Sequence, residues 1–194
     1  MRKLLLLLAA TTAFARTAYQ SLARDVLKEL IEINTTDTTG DNTRAAVAMA
    51  TRFRKAGYPE ADVKVLGPQP RKGNVVVRLR GSGSAKPVLF IGHLDVVEAL
   101  RSDWSVDPFK LTEKGGFFYG RGAQDTKNND AMMVAAFLRM KQENFRPSRD
   151  LILALTADEE GGPANGVKWL VTQHRDLIDA EYCINTDASF VTSA

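Results

Sequence analysis

Three consecutive acids, Asp158-Glu159-Glu160, follow the apolar run from Leu151 to Ala157 and precede Gly161-Gly162. The run carries no charge and includes β-branched Ile152 and Thr156, which predicts a buried strand. Open α/β sheets place their ligands at strand exits of this kind. Adjacent carboxylates repel, so burying them together raises their pKa unless a cation balances them. A metal ion would supply that balance. Taken alone, the same three residues are equally compatible with a solvated acidic loop.

Other strand-like runs end in similar chemistry. Pro87 to Ile91 leads into Gly92-His93-Leu94-Asp95. Asp125 follows the glycine-rich stretch Tyr119 to Gln124, and Asp187 follows Tyr182 to Thr186. One imidazole with several carboxylates, all at the ends of predicted strands, is a nitrogen and oxygen donor set that zinc accepts.

Four ordered blocks now stand out. They are Gly92-His93-Leu94-Asp95-Val96-Val97; Trp104 with Asp107-Pro108-Phe109; Gly120-Arg121-Gly122-Ala123 with Asp125 and Lys127; and Asp158-Glu159-Glu160-Gly161-Gly162. In this order and at these spacings, roughly residues 18 to 190 resemble the M20-type zinc metallopeptidases and amidohydrolases. That family includes carboxypeptidases, dipeptidases and N-acyl-amino-acid deacylases. The resemblance implies two zinc ions in the complete enzyme. His93 and Asp187 would be ligands of the first zinc, Glu160 of the second, and Asp125 would bridge both. Asp95 would hold the His93 ring by its other nitrogen, and Glu159 would be the general base and acid. The resemblance also implies a cis peptide between Asp125 and Thr126, and small peptides or N-acyl amino acids as substrates.

The chain departs from the family pattern in places. Glu98 stands where many relatives have proline, and Thr126 and Asn128 replace residues that are commonly Met and Gly. Relatives bring a second metal-binding His to the Glu160 metal, whereas the histidines here are His93 and His174. His174, in Thr172-Gln173-His174-Arg175-Asp176, reads as the exposed end of a helix. The alternative to an active hydrolase is therefore a non-catalytic remnant or fragment of one, weak or inactive alone.

These residues need a scaffold. Residues 18–33 read as an amphipathic helix with Leu22, Val26, Leu27, Leu30 and Ile31 on one stripe. A second helix spans 43–56 and stops at Gly57. Residues 61–66 and 74–79 alternate as strands, and 109–119 form a hairpin turning at Gly115-Gly116. A third helix over 125–141 should pack Met132, Met133, Ala136, Phe137 and Met140 inward, and a short fourth spans 166–173. Helices alternating with strands predict an α/β fold, a three-layer sandwich around a mixed, largely parallel sheet. Cys183, in an apolar run, reads as a buried structural thiol, and one cysteine excludes an internal disulfide.

The start of the chain reads as an address. Arg2-Lys3, the leucines from Leu4 to Leu8 and Ala13-Phe14-Ala15 have the order of a signal peptide over residues 1–15. The expected location is secreted or periplasmic, with no stable membrane anchor, since the apolar stretch falls short of the ~20 residues that span a bilayer. Residues 16–194 then form the N-terminal portion of a catalytic zinc-hydrolase domain, without the lid or dimerisation domain through which a full-length enzyme could dimerise. Cleavage after Ala15 removes two of 26 basic residues and none of 23 acidic ones. The remaining near-balance, without a dense basic patch, predicts no nucleic-acid partner.

Overall fold

A computed structural model of the chain describes residues 18–187. The expected leader over 1–15 lies outside them. In chain order the elements are helix α1 (18–32), α2 (Asn42–Lys55), β1 (Val63–Leu66), β2 (Asn74–Leu79), β3 (Ala85–His93), β4 (Thr112–Lys114), β5 (Phe117–Tyr119), α3 (Lys127–Gln142), β6 (Arg149–Thr156), α4 (Gly166–Gln173), α5 (Arg175–Ile178) and β7 (Tyr182–Asn185). No helix among the described residues is long and apolar enough to cross a membrane.

Alternation along the strands decides the layering. Successive residues of a strand face opposite sides of the sheet. In β6, Leu153 and Leu155 join one apolar cluster while Ile152 and Ala154 join the other. A strand apolar on both faces needs cover on both. On one side α1, α2 and α3 supply Leu30, Ile31, Met49, Phe53, Val134 and Phe137. On the other, α4 and α5 supply Leu170 and Ile178. The result is the expected three-layer sandwich.

The sheet order is β1-β2-β6-β3-β7. β6, β3 and β7 pair in parallel, and β2 runs against both β6 and β1. Four of the five strands therefore share a direction. The register sets Thr156 opposite His93 and Asn185 opposite Ile91, so three chain segments leave the sheet at one edge. Asp41 caps α2 by accepting from the Arg44 amide, and Gly57, at φ +85°, ends it in the left-handed conformation glycine tolerates. A separate hairpin, β4 with β5, turns at Gly115 and Gly116.

Two expectations about burial need correction. On α3, Met132 and Ala136 face solvent, while Met133, Val134, Phe137 and Leu138 are buried with Lys127, Ala131 and Asp130. Met133, Phe137 and Met140 pack on the core as expected, but the helix is apolar around much of its circumference and two charged residues occupy its inward face, so apolar periodicity alone misplaced Met132 and Ala136. Lys127 sets the rotation: its buried ammonium donates to the carbonyls of Leu30 (2.8 Å) and Ile33 (3.0 Å) at the end of α1. Cys183 is exposed rather than buried. It lies on β7, which among the described residues pairs with β3 alone and buries none of its residues, because an apolar strand is buried only where a layer covers it.

Candidate metal centre

His93 is the last residue of β3 and is buried. Its Nδ1 lies 3.0 Å from the Asp95 carbonyl oxygen and 3.6 Å from Asp95 Oδ1. A proton on Nδ1, donated to that carbonyl, leaves Nε2 as the ligating nitrogen. Nε2 faces a ring of acids: Asp125 Oδ1 at 3.2 Å, Asp187 Oδ2 at 3.7 Å and Glu159 Oε2 at 3.9 Å. β3 stops at His93, so Asp95 contacts the ring from the following loop and its backbone makes the shorter contact. The Asp95 carboxylate does a second thing: Oδ2 accepts from the Glu160 amide at 2.9 Å, tying the end of β3 to the acidic loop after β6.

That loop separates its three acids. Asp158, at φ +62°, turns inward and is buried, its carboxylate held by Lys72 and by the Ala164 amide. Glu159 and Glu160 remain exposed. Asp125 stands just before α3, with 63% of its side chain exposed, and the Asp125–Thr126 peptide is cis. Ligand atoms within 4.8 Å of one another form two groups, His93 with Asp125 and Glu160, and His93 with Glu159 and Asp187. All six residues singled out in the sequence thus lie together, although Glu159 shares a group with His93 and Asp187 where Asp125 was expected.

The electrostatics fit a divalent cation. Burial pulls the His93 pKa down, but the carboxylates of Asp95 and Asp130 outweigh it and raise the value to about 10. Desolvation and the carboxylates of Asp125, Asp95 and Glu159 push Glu160 up. An excess of carboxylates over one imidazole, with pKa values displaced toward protonation, is the imbalance that a bound metal removes.

Several contributors were not singled out from the sequence. Asp130 is wholly buried on α3 with no hydrogen-bond partner on either carboxylate oxygen. Desolvation raises its pKa well above the usual range. Its one sequence signal is phase: Lys127 and Asp130 recur with Val134 and Phe137 on a single helical face. Lys72, in the turn before β2, and Asn74, the first residue of β2, also shape the acidic loop, from a stretch that carries no chemical motif. His174 lies outside both ligand groups, at the junction of α4 and α5, with its ring 4.4 Å from that of Trp169.

The chain is 42% identical over 117 residues to a succinyl-diaminopimelate desuccinylase of Delftia acidovorans, covering 59% of this chain and 30% of that protein. It is 32% identical over 150 residues to the N-fatty-acyl-amino acid synthase/hydrolase PM20D1 of Mus musculus, covering 75% and 30% respectively. The chain therefore spans under a third of these relatives' length. Human carnosine dipeptidase 1 has the same fold at a TM-score of 0.74 and 22% identity, over 90% of this chain and 40% of that one. The metallo-carboxypeptidase Sso-CP2 of Sulfolobus solfataricus follows at 0.69 and 20%, over 86% and 37%. The description of peptidase family M20/M25/M40 matches residues 89–192, which contain every ligand candidate around His93, and the chain belongs to that family.

Proposed function

We propose that this chain carries a zinc-dependent hydrolase site for the amide bonds of small peptides or N-acyl amino acids. The observation that carries the proposal is His93 Nε2 with three carboxylates within 3.9 Å, where the carboxyl ends of the parallel strands β3, β6 and β7 meet the loop before α3. His93, Asp125, Glu160 and Asp187 would hold the metal, and Asp95 would orient His93. Bound there, zinc would supply Lewis acidity toward the amide carbonyl and make the attacking water more acidic. Glu159, 45% exposed and reaching the same space, would take the water's proton and return it to the leaving amine. The names of the relatives, a desuccinylase, an N-fatty-acyl-amino acid hydrolase and a dipeptidase, support a substrate whose amide joins an acyl group to an amino acid. The leader pattern supports a secreted or periplasmic location. Intact-mass analysis of exported protein should find a chain beginning near Arg16, and a soluble cytoplasmic product retaining Met1 would refute it.

Metal content and hydrolysis test the site. One imidazole serves both ligand groups, and catalytic zinc normally has three protein ligands, so the 194-residue chain should hold about one tight zinc. Its hydrolysis of N-acyl amino acids should be negligible. Asp125→Ala should lose the zinc and Glu159→Gln should keep it. A wild-type chain that binds no zinc, or equal loss in the two variants, would refute the assignment. Two tight zinc ions with robust turnover would show a ligand beyond those named here.

A further inference from the structure

We propose that Lys72 is a positioning residue for the metal centre: it holds Asp158 inward and thereby presents Glu159 and Glu160 to the cleft. Lys72 and Asp158 are both buried, at 7% and 2% exposure, and form an ion pair. The loop closes tightly around the Asp158 carboxylate. Oδ2 accepts from the Ala164 amide at 2.8 Å, and a Cβ on Gly162 would stand 1.9 Å from it. Asn165 Nδ2 donates to the Asp158 carbonyl at 3.2 Å. Two residues beyond Lys72, Asn74 Oδ1 accepts from the Ala157 amide at 2.9 Å. The turn leading into β2, together with the first residue of that strand, therefore grips the two residues immediately before Glu159.

Lys72 also closes a ring of contacts around the site. Its ammonium pairs with Asp37, in the segment between α1 and α2. In that segment Thr35 Oγ1 donates to the Leu94 carbonyl at 2.7 Å, next to His93. Asp95, one residue on, accepts from the Glu160 amide. From the acidic loop through Lys72 to residues 35–37, on to 94–95 and back to Glu160, each link is a hydrogen bond or ion pair. Opening the ring at Lys72 strands a buried carboxylate. An unpaired buried charge is costly, so Asp158 would leave its inward position, and the loop that bears Glu159 and Glu160 would be reshaped.

This role rests on the cleft being a metal centre, and the test separates the two. Wild type, Lys72→Met and Lys72→Arg of the 194-residue chain would be titrated with Co2+, following visible d–d absorption, with circular dichroism confirming that each is folded. Folded Lys72→Met should bind Co2+ about 10–100-fold more weakly, the usual effect of removing a residue that orients ligands. Its absorption spectrum should be altered, and Lys72→Arg should restore most of both. Asp158→Asn keeps the Ala164 bond and leaves Lys72 paired with Asp37. It should fold even where Lys72→Met does not, and it should also weaken binding severalfold. If wild type binds no Co2+, the metal centre itself is refuted. If wild type binds and folded Lys72→Met, or Asp158→Asn in its place, matches it in affinity and spectrum, the pair is structural only and the positioning role is refuted.

Discussion

Gly92→Ala tests how closely α3 must approach β3. A Cβ at Gly92 would stand 2.1 Å from Asp130 Oδ1, 3.3 Å from Asp130 Cγ and 3.0 Å from the Met133 methyl carbon. Interiors packed to crystal density have no slack for such a contact, so Asp130 or the helix must retreat by about 1 Å. Asp130 has nowhere to swing, because it is wholly buried beside Ala131 and Val134. Overpacking of this kind costs about 1–3 kcal/mol, and each kcal/mol lowers Tm by about 2–4 °C for a domain of this size. Asp130→Ala removes the atoms that clash, and with them a buried carboxylate that has no hydrogen-bond partner. In a urea-unfolding cycle the double variant should therefore recover about 1 kcal/mol or more of the Gly92→Ala loss, within the usual range for contacting pairs. Zinc affinity should fall in Gly92→Ala as well, since His93 ends β3 and Asp125 stands just before α3, so both would move with the displaced elements. An additive cycle, or a Gly92→Ala cost under about 0.5 kcal/mol, would show that the contact is not tight and refute the reasoning.

Metal affinity should depend on pH through His93. Its folded pKa, about 10, lies above the ordinary 6.5, so its stabilising effect on the metal-free chain is complete below the ordinary value and lost as pH rises through about 10. Metal competes with that proton, so affinity measured against a chelator should rise by about tenfold per pH unit between pH 7 and 9, where an unshifted imidazole would leave it nearly flat. In the core, Phe53→Ala should cost about 3–5 kcal/mol by chemical denaturation. That ring is fully buried and meets Tyr58 edge-on at 5.2 Å. Val47→Ala on the same helix, at 47% exposure, should stay within about 0.5 kcal/mol.

The sequence and the structure agree where local pattern carries the information. Apolar runs flanked by glycine and acids marked β3, β6 and β7, and the acids after them marked the edge where the three strands end together. Cap and turn residues marked α2 and the β4–β5 hairpin. The disagreements arise where a partner distant in sequence decides. The face α3 presents to the core follows from Lys127 reaching the carbonyls of Leu30 and Ile33, 97 and 94 residues earlier. Cys183 is exposed because no layer among the described residues covers its strand, which no property of Tyr182 to Asn185 announces.

The acidic triplet shows the same limit at the site itself. Read locally, Asp158, Glu159 and Glu160 are three adjacent carboxylates, and family resemblance assigns work only to the last two. What makes Asp158 different is the left-handed turn of its backbone and the ammonium of Lys72, 86 residues away. With one of three like charges withdrawn into an ion pair, two are left to share the cleft. A carboxylate with its own cation needs no metal to balance it, so the Lys72 pair reduces the charge a metal must neutralise while fixing the backbone from which the two glutamates project. On the proposed reading, division of labour within the triplet would originate in the turn before β2, in a residue that belongs to none of the four blocks by which the family is recognised.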